Sequence, residues 1–154
     1  MCRRTDDKIE IHCHGGVAAV GVIIAVGLAG CASYIPERCF ISAYDATTGE
    51  LEWRFNTVAH AGEPGGDTWA GLDDIYRKGG ETWIAGTWDP ELDLTYWGTG
   101  NPAPQIDAEY RPGDNLFSST MVAVDHKTGE YKWHYQSIHH DVWDMDNVHP
   151  PTLA

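Results

Sequence analysis

Residues 43–53 (AYDATTGELEW) and residues 123–133 (AVDHKTGEYKW) are two copies of one pattern, Ala-x-Asp-x-x-Thr-Gly-Glu-x-x-Trp, at an offset of 80 residues. Six identities at fixed spacing, with a tryptophan and a glycine among them, argue against a chance pair of similar hairpins. In each copy the Asp side chain can accept hydrogen bonds from turn amides, the Gly supplies a positive φ, and the Trp packs on a neighbouring layer. The pattern therefore predicts a strand, a tight turn and a second strand, twice.

Turn-forming residues punctuate the remaining chain beyond residue 39. They are TG at 48–49 and 128–129, PGG at 64–66, GG at 79–80, DP at 89–90 and PGD at 112–114. The intervening runs at 40–44, 94–97, 121–124 and 131–135 are short, and no apolar 3.6-residue period persists, so we predict an all-β chain with antiparallel strands. Repeats of this kind predict stacked sheets, as in a β-propeller, whose blades have about 40–50 residues. The offset fits one blade with insertions or nearly two blades, and the chain accommodates two or three.

The net charge of −13 lies entirely in residues 39–154, because the acidic and basic side chains of residues 1–38 balance. A surface of this sign repels phosphate backbones, which argues against nucleic acid as a partner. A basic protein or a bound cation fits the charge better.

Residues 1–37 form an atypical N-terminal segment, with no charge between Gly15 and Pro36. Three interpretations are open: a buried strand over residues 22–28, a lipoprotein-type signal with LAGC at 28–31, or a membrane span that would attach the protein to a membrane. The cysteines at positions 2, 13, 31 and 39 match no paired CxxC zinc pattern.

Six stretches that follow one another along residues 38–154 resemble the PQQ-dependent (quinoprotein) alcohol dehydrogenases, the methanol and ethanol dehydrogenase family. They are residues 38–57 (RCFISAYDATTGELEWRFNT), 62–69 (GEPGGDTW), 79–83 (GGETW), 96–104 (YWGTGNPAP), 111–116 (RPGDNL) and 133–147 (WHYQSIHHDVWDMDN). The resemblance implies that residues 38–154 are a partial propeller domain, about two to three blades of an eight-bladed quinoprotein β-propeller. It also implies a periplasmic protein that uses pyrroloquinoline quinone (PQQ) and a metal ion.

The resemblance also assigns roles to individual residues. Trp83, in GGETW, resembles the indole floor beneath the PQQ ring, and the simpler alternative is a core Trp between blades. Asn101, in GTGN, resembles a metal ligand, although a Gly-Asn-Pro turn would also explain it. Asp144 resembles the catalytic carboxylate, which also binds the metal and accepts the proton of the alcohol hydroxyl.

Asp146, two positions after the catalytic carboxylate, bears on the metal. The resemblance associates a second Asp there with a lanthanide ion and a small or neutral residue with Ca²⁺. A trivalent ion favours an additional anionic oxygen ligand, so the sequence predicts a lanthanide site, with Ca²⁺ as the alternative. The competing interpretation of Asp141, Asp144 and Asp146 is a solvated acidic loop.

Three positions depart from the family pattern. The metal-binding Glu expected before the first repeat is absent, because Ser33 or Tyr34 falls in its place and Glu37 lies next to Arg38. Glu81 replaces a small residue or Thr that contacts the cofactor, and its charge would repel the PQQ carboxylates. Cys39 replaces a Gly.

The expected function is oxidation of primary alcohols to aldehydes, with electrons passed to a basic cytochrome c that docks on the acidic surface. The alternative is a cofactor-free propeller lipoprotein that serves as a binding or assembly module. The combination of Trp83, Asn101 and Asp144 favours the dehydrogenase, since a cofactor-free propeller has no reason to keep all three.

Overall fold

The computed structural model describes residues 3–5, 8–10, 17–20, 23–27, 38–147 and 149–154, and for residues before 38 it describes only the backbone of the strands. Its strands are β1 (Arg3–Thr5), β2 (Lys8–Glu10), β3 (Val17–Val20), β4 (Ile23–Gly27), β5 (Phe40–Asp45), β6 (Leu51–Asn56), β7 (Lys78–Gly79), β8 (Thr87–Asp89), β9 (Leu94–Gly98), β10 (Pro102–Ala103), β11 (Thr120–Asp125) and β12 (Tyr131–Gln136). Two 3-10 helices cover Gly66–Trp69 and Asp74–Tyr76.

The first four-stranded sheet has the order β3-β4-β5-β6, and each neighbouring pair is antiparallel. In this sheet β4 is an inner strand that pairs Ala25 with Ala43 of β5. The strand interpretation of residues 22–28 agrees with β4 over Ile23–Gly27. This sheet contains β3 and β4, which precede residue 37, and β5 and β6, which follow residue 38. The domain boundary predicted between residues 37 and 38 stays a prediction.

The lipoprotein-type tetrad at 28–31 lies outside the described residues. No helix among the described residues is long and apolar enough to cross a membrane.

The second four-stranded sheet has the order β12-β11-β9-β8 and is again antiparallel throughout. Residues between β9 and β11 leave this sheet, and β10 pairs with β7 instead. Each four-stranded sheet is a meander of the kind that forms one propeller blade. The offset of 80 residues therefore corresponds to one blade with insertions.

The two sequence repeats form the same hairpin in both sheets. The amide of Asp45 donates to the carbonyl of Glu50 and that of Gly49 to the carbonyl of Asp45, at 2.9 and 2.8 Å, and residues 125, 129 and 130 repeat both bonds at 2.8 Å. Both pairs of strands also shift register after the first Ala of the pattern. The shared residues therefore specify a shared turn, as predicted.

The first repeat contacts the second through Trp53. Its indole packs on Gly129, where an added Cβ would lie 2.5 Å from the ring. Apolar side chains from both sheets and from the inserted segments form the core around this contact: Ile41, Ala43, Trp53, Ala59, Trp97, Leu116, Phe117, Val122 and Val124. The sheets are therefore packed as neighbouring layers.

The inserted segment between β6 and β7 folds around two buried side chains. The Trp69 indole is fully buried and donates to the carbonyl of Leu116 at 2.7 Å. Arg77 is also buried and donates to the carbonyls of Leu72, Ala59 and Gly66 at 2.7–3.0 Å. These bonds fix a segment whose only regular elements, among the described residues, are the two short 3-10 helices.

Cys39 is buried immediately before β5 and is disulfide-bonded.

Candidate functional site

Three segments of the chain meet beside strand β10. The segment at 79–83 lies along residues 100–102, because Gly80 donates to the carbonyl of Asn101 at 3.0 Å and Gly100 donates to the carbonyl of Glu81 at 2.8 Å. On the other side, Asn147 donates to the carbonyl of Thr99 at 3.0 Å. The sequence motifs GGETW, GTGN and WDMDN are thereby brought together.

A single side-chain bond joins two of the predicted metal ligands. The Oδ1 atom of Asp146 accepts a hydrogen bond of 2.8 Å from the backbone amide of Asn101. Gly100 permits this approach, since a Cβ at that position would lie 3.0 Å from Asp146 Oδ1. The glycine of GTGN therefore has a local steric reason beyond turn formation.

The side-chain carbonyl oxygen of Asn101 accepts no hydrogen bond from the described residues. The residue is largely buried, and its amide nitrogen Nδ2 donates to the carbonyl of Pro102 at 3.0 Å. No described residue donates to Oδ1, so this oxygen is left as an acceptor, which suits a hard cation.

Asp141 organises the acidic loop from within. It is fully buried, and its carboxylate accepts hydrogen bonds of 2.9 Å from the hydroxyl of Ser119 and from the amides of Trp143 and Met145. The interpretation of all three acidic residues as a solvated loop is therefore wrong for Asp141.

Asp144 lies at the exposed turn of this loop. Its backbone has a φ of 62°, in the left-handed region that few non-glycine residues adopt. Within the described part of the chain, no hydrogen-bond donor or cation pairs with its carboxylate, so the group is available to a ligand.

Asp146 is exposed as a residue, but one side of its carboxylate lies against the backbone of residues 100 and 101. Partial burial raises the pKa of Asp146 above its ordinary value, and the charges of Asp144 and Asp141 raise it further, whereas the Asn101 amide opposes the shift. A bound cation would relieve the repulsion among these carboxylates.

Trp83 is 43% exposed and follows the fully buried Thr82. The segment that carries Trp83 is hydrogen-bonded to the Asn101 segment, and the role of the indole stays a prediction. An exposed indole is the surface on which a planar quinone would stack.

The donor chemistry of the site fits a hard metal ion in part. Asn101, Asp144 and Asp146 supply an amide oxygen and two carboxylates from two adjoining segments. No group of three or more His, Cys, Asp or Glu side chains among the described residues is close enough together to hold a metal alone. Ser33, Tyr34 and Glu37, the positions around the missing Glu ligand, lie outside the described residues.

The sequence interpretation missed the structural importance of Asp141 and Arg111. Arg111 is fully buried, and its guanidinium reaches the backbone of Asp141. Burial lowers the pKa of Arg111, and the charges of Asp141 and Asp107 oppose that shift. One signal was present: Arg111 is the only Lys or Arg between Lys78 and Lys127, inside a strongly acidic stretch.

The sequence matches the PQQ family model, "Glucose/ethanol/alcohol dehydrogenase, beta-propeller domain", over residues 3–154. It is 42% identical over 125 residues to quinoprotein alcohol dehydrogenase PedH of Pseudomonas putida, covering 70% of this chain and 20% of that protein. It is 35% identical over 149 residues to the lanthanide-dependent methanol dehydrogenase of Methylorubrum extorquens, covering 85% of this chain and 24% of that protein.

Solved structures agree with the sequence matches. The quinohemoprotein alcohol dehydrogenase of Comamonas testosteroni superposes with a TM-score of 0.77 at 33% identity, over 88% of this chain and 22% of that one. A europium-containing methanol dehydrogenase gives a TM-score of 0.73 at 31% identity, over 87% of this chain and 26% of that one. The chain thus spans about a fifth to a quarter of the length of these relatives.

Proposed function

The chain belongs to the PQQ-dependent alcohol dehydrogenase family, with its all-β propeller fold, and on this premise we propose that it supplies part of the site at which a primary alcohol is oxidised to an aldehyde. One observation carries the proposal. The segments bearing Trp83, Asn101 and Asp144 lie side by side. Trp83 and Asp144 are exposed, and no described residue donates to the side-chain oxygen of Asn101.

Each of these side chains has a distinct part in the proposed reaction. The exposed face of Trp83 supports the cofactor ring, and Asn101, Asp144 and Asp146 hold the ion through oxygen atoms. When bound, PQQ supplies a two-electron hydride acceptor and the ion supplies Lewis acidity. The carboxylate of Asp144 accepts the hydroxyl proton of the alcohol.

We propose a lanthanide ion as the preferred metal, with Ca²⁺ as the alternative. Asp146 supports this choice because it adds a second carboxylate beside Asp144, and a trivalent ion benefits more from that charge. The relationship to the lanthanide-dependent methanol dehydrogenase and the europium-containing enzyme is consistent with it.

Electron transfer to a basic cytochrome c in the periplasm completes the proposal. The net charge of −13 favours such a partner, and a related protein is named methanol dehydrogenase [cytochrome c] subunit 1. The disulfide of Cys39 supports an oxidising compartment. Association that persists unchanged at high salt would contradict the electrostatic docking.

The cofactor-free lipoprotein module is the other candidate. The related proteins named above are dehydrogenases, and no contact in the described residues favours the module over them. It therefore stays a prediction without support of its own.

Titration with PQQ, followed by tryptophan emission, tests the proposal. We expect quenching that requires La³⁺ or Ca²⁺, that persists in Trp133→Phe and that is largely lost in Trp83→Phe. Trp133 is the matched control because it is 42% exposed, against 43% for Trp83, and lies in strand β12. Absence of quenching in the wild type, or an equal loss in both variants, would contradict the proposed site.

A further inference from the structure

Arg111 contacts the two segments that carry the proposed metal ligands. These are the segment that continues from Asn101, the Asn101 arm, and the acidic loop of residues 141–147. Its Nε donates to the carbonyl of Pro104 at 2.7 Å, and its Nη2 donates to the carbonyl of Gln105 at 2.5 Å. These carbonyls belong to the segment that continues from Asn101. The same Nη2 donates to the carbonyl of Asp141, where the acidic loop begins.

The guanidinium is enclosed and fully engaged. Arg111 has no exposed surface, and its Nη1 donates to the side-chain oxygen of Asn115 at 2.9 Å. Asn115 returns two bonds through its Nδ2, to the carbonyls of Arg111 and Pro112 at 3.2 and 3.1 Å. Because its four acceptors come from three separate stretches of chain, the planar fork of Arg fixes their relative positions in a way that a flexible Lys cannot.

Hydrogen bonds and the stretches of chain between them form a closed path, the circuit, that passes the proposed ligands Asn101, Asp144 and Asp146. From Arg111 the path runs through Asp141, whose carboxylate holds the amides of Trp143 and Met145. It continues to Asp146, which bonds the amide of Asn101, and returns along the chain to Pro104 and Arg111. Asp144 lies on this circuit between the two amides held by Asp141. None of these hydrogen bonds uses the side-chain oxygen Oδ1 of Asn101 or the carboxylate of Asp144.

We propose that Arg111 is a positioning residue for the metal site, because it fixes the distance between the Asn101 arm and the acidic loop that carries Asp144 and Asp146. This inference rests on the proposed function, since it requires that these residues bind an ion. Groups behind metal ligands typically change metal affinity by about 10- to 100-fold when removed. We expect a change of that size although Arg111 contacts no proposed ligand through its own side chain.

Arg77 provides a matched control. It is also a buried arginine that donates to three backbone carbonyls, but those carbonyls belong to residues 59, 66 and 72, which are not part of the three segments of the site. Arg77→Met and Arg111→Met therefore remove similar numbers of internal hydrogen bonds. A difference between them in metal binding reports on position in the fold, not on general loss of stability.

Sensitised Tb³⁺ luminescence on the full chain tests the inference, with Trp83 and Trp143 as antennae. At a temperature where near-ultraviolet circular dichroism shows all variants folded, we expect Arg111→Met to weaken Tb³⁺ binding by roughly tenfold or more. The luminescence lifetime should also shorten, because a displaced ligand admits water to the ion. Arg77→Met should stay within about twofold of the wild type, and Arg111→Lys should lie in between.

The outcomes separate the two proposals. If wild type binds Tb³⁺ and both Arg→Met variants bind it equally well or equally poorly, the positioning role is wrong and the metal site stands. If wild type binds no Tb³⁺, the metal site itself fails and the positioning role fails with it. Should Arg111→Met not fold, Arg111→Lys decides the question, and affinity and lifetime equal to the wild type would overturn the role.

Discussion

The indole Nε1 of Trp53 donates a hydrogen bond of 2.9 Å to the backbone carbonyl of His126, 73 residues later in the chain. His126 lies in the turn of the second repeat, and Gly129 of the same turn lies beneath the indole ring. The tryptophan of one repeat therefore docks on the turn of the next repeat. Trp133, the equivalent residue of the second repeat, is 42% exposed.

Replacement of Trp53 by Phe should destabilise the chain. The variant leaves the His126 carbonyl without its donor in a buried position, so the free energy of unfolding should fall by about 1–3 kcal/mol. Urea denaturation measures the change. The control is Trp133→Phe, which should shift stability by no more than about 0.5 kcal/mol because the residue is partly exposed; equal losses would contradict the docking role of Trp53.

Gly129→Ala should reduce the stability of the fold more than Gly71→Ala does. Both glycines have positive φ, 70° and 80°, so each substitution carries a backbone penalty of about 1–2 kcal/mol. At Gly71 an added Cβ meets nothing within 4 Å, whereas at Gly129 it lies 2.5 Å from the Trp53 ring. Thermal unfolding should show an additional loss of at least about 1 kcal/mol at Gly129. Similar melting temperatures would mean that the ring does not rest on the turn.

Asp45→Asn should change how stability depends on pH. The amides of Thr48 and Thr47 donate to this carboxylate and hold the pKa of Asp45 below its ordinary value of 3.8. A depressed folded-state pKa means that the charged form stabilises the fold above pH 3.8, and that this contribution is lost as the pH falls through the lower folded value. Wild type should therefore lose stability relative to Asp45→Asn in that acidic window, as followed by urea midpoints. A constant difference across the window would refute the charge-dependent contribution.

Asp146→Asn should alter metal preference. The Asn oxygen can still accept the bond from the Asn101 amide, so the loop should keep its place while one negative charge is removed. We expect La³⁺ affinity to fall by more than Ca²⁺ affinity, because the trivalent ion depends more on anionic ligands. Calorimetric titration with each ion measures the ratio. An unchanged ratio would argue against Asp146 as the residue that selects a lanthanide.

The repeats were predictable from sequence because their information is local. Asp45 and Asp125 each bond the two amides that follow in the turn, and Gly49 and Gly129 adopt positive φ, so neighbouring residues alone determine the hairpins. The strand runs of the second sheet follow for the same reason. The conformation of the inserted segments could not be predicted in this way. They are held by buried side chains such as Arg77, whose hydrogen-bond acceptors lie 5 to 18 residues away in the sequence.

The candidate site was predictable as a set of motifs but not as an arrangement. Sequence spacing placed Trp83, Asn101 and Asp144 in three separate motifs, and only long-range bonds such as Asp146 to Asn101 show that these motifs adjoin. Charge composition also misled the interpretation of Asp141, since an Asp in an acidic stretch is usually solvated. The amides of Trp143 and Met145 are local partners of this carboxylate, but the bond from Ser119 is long-range, and no local pattern identifies it.

Calorimetric titration of La³⁺ into the full chain with PQQ present tests the central claim most directly. The account predicts saturable binding that Asp144→Asn weakens at least about tenfold, because the variant loses an anionic ligand. Asp73→Asn, which changes an exposed aspartate in the loop between β6 and β7, should leave the affinity unchanged. Equal affinity in all three proteins, or no binding in the wild type, would contradict the claim that these segments form a metal and cofactor site.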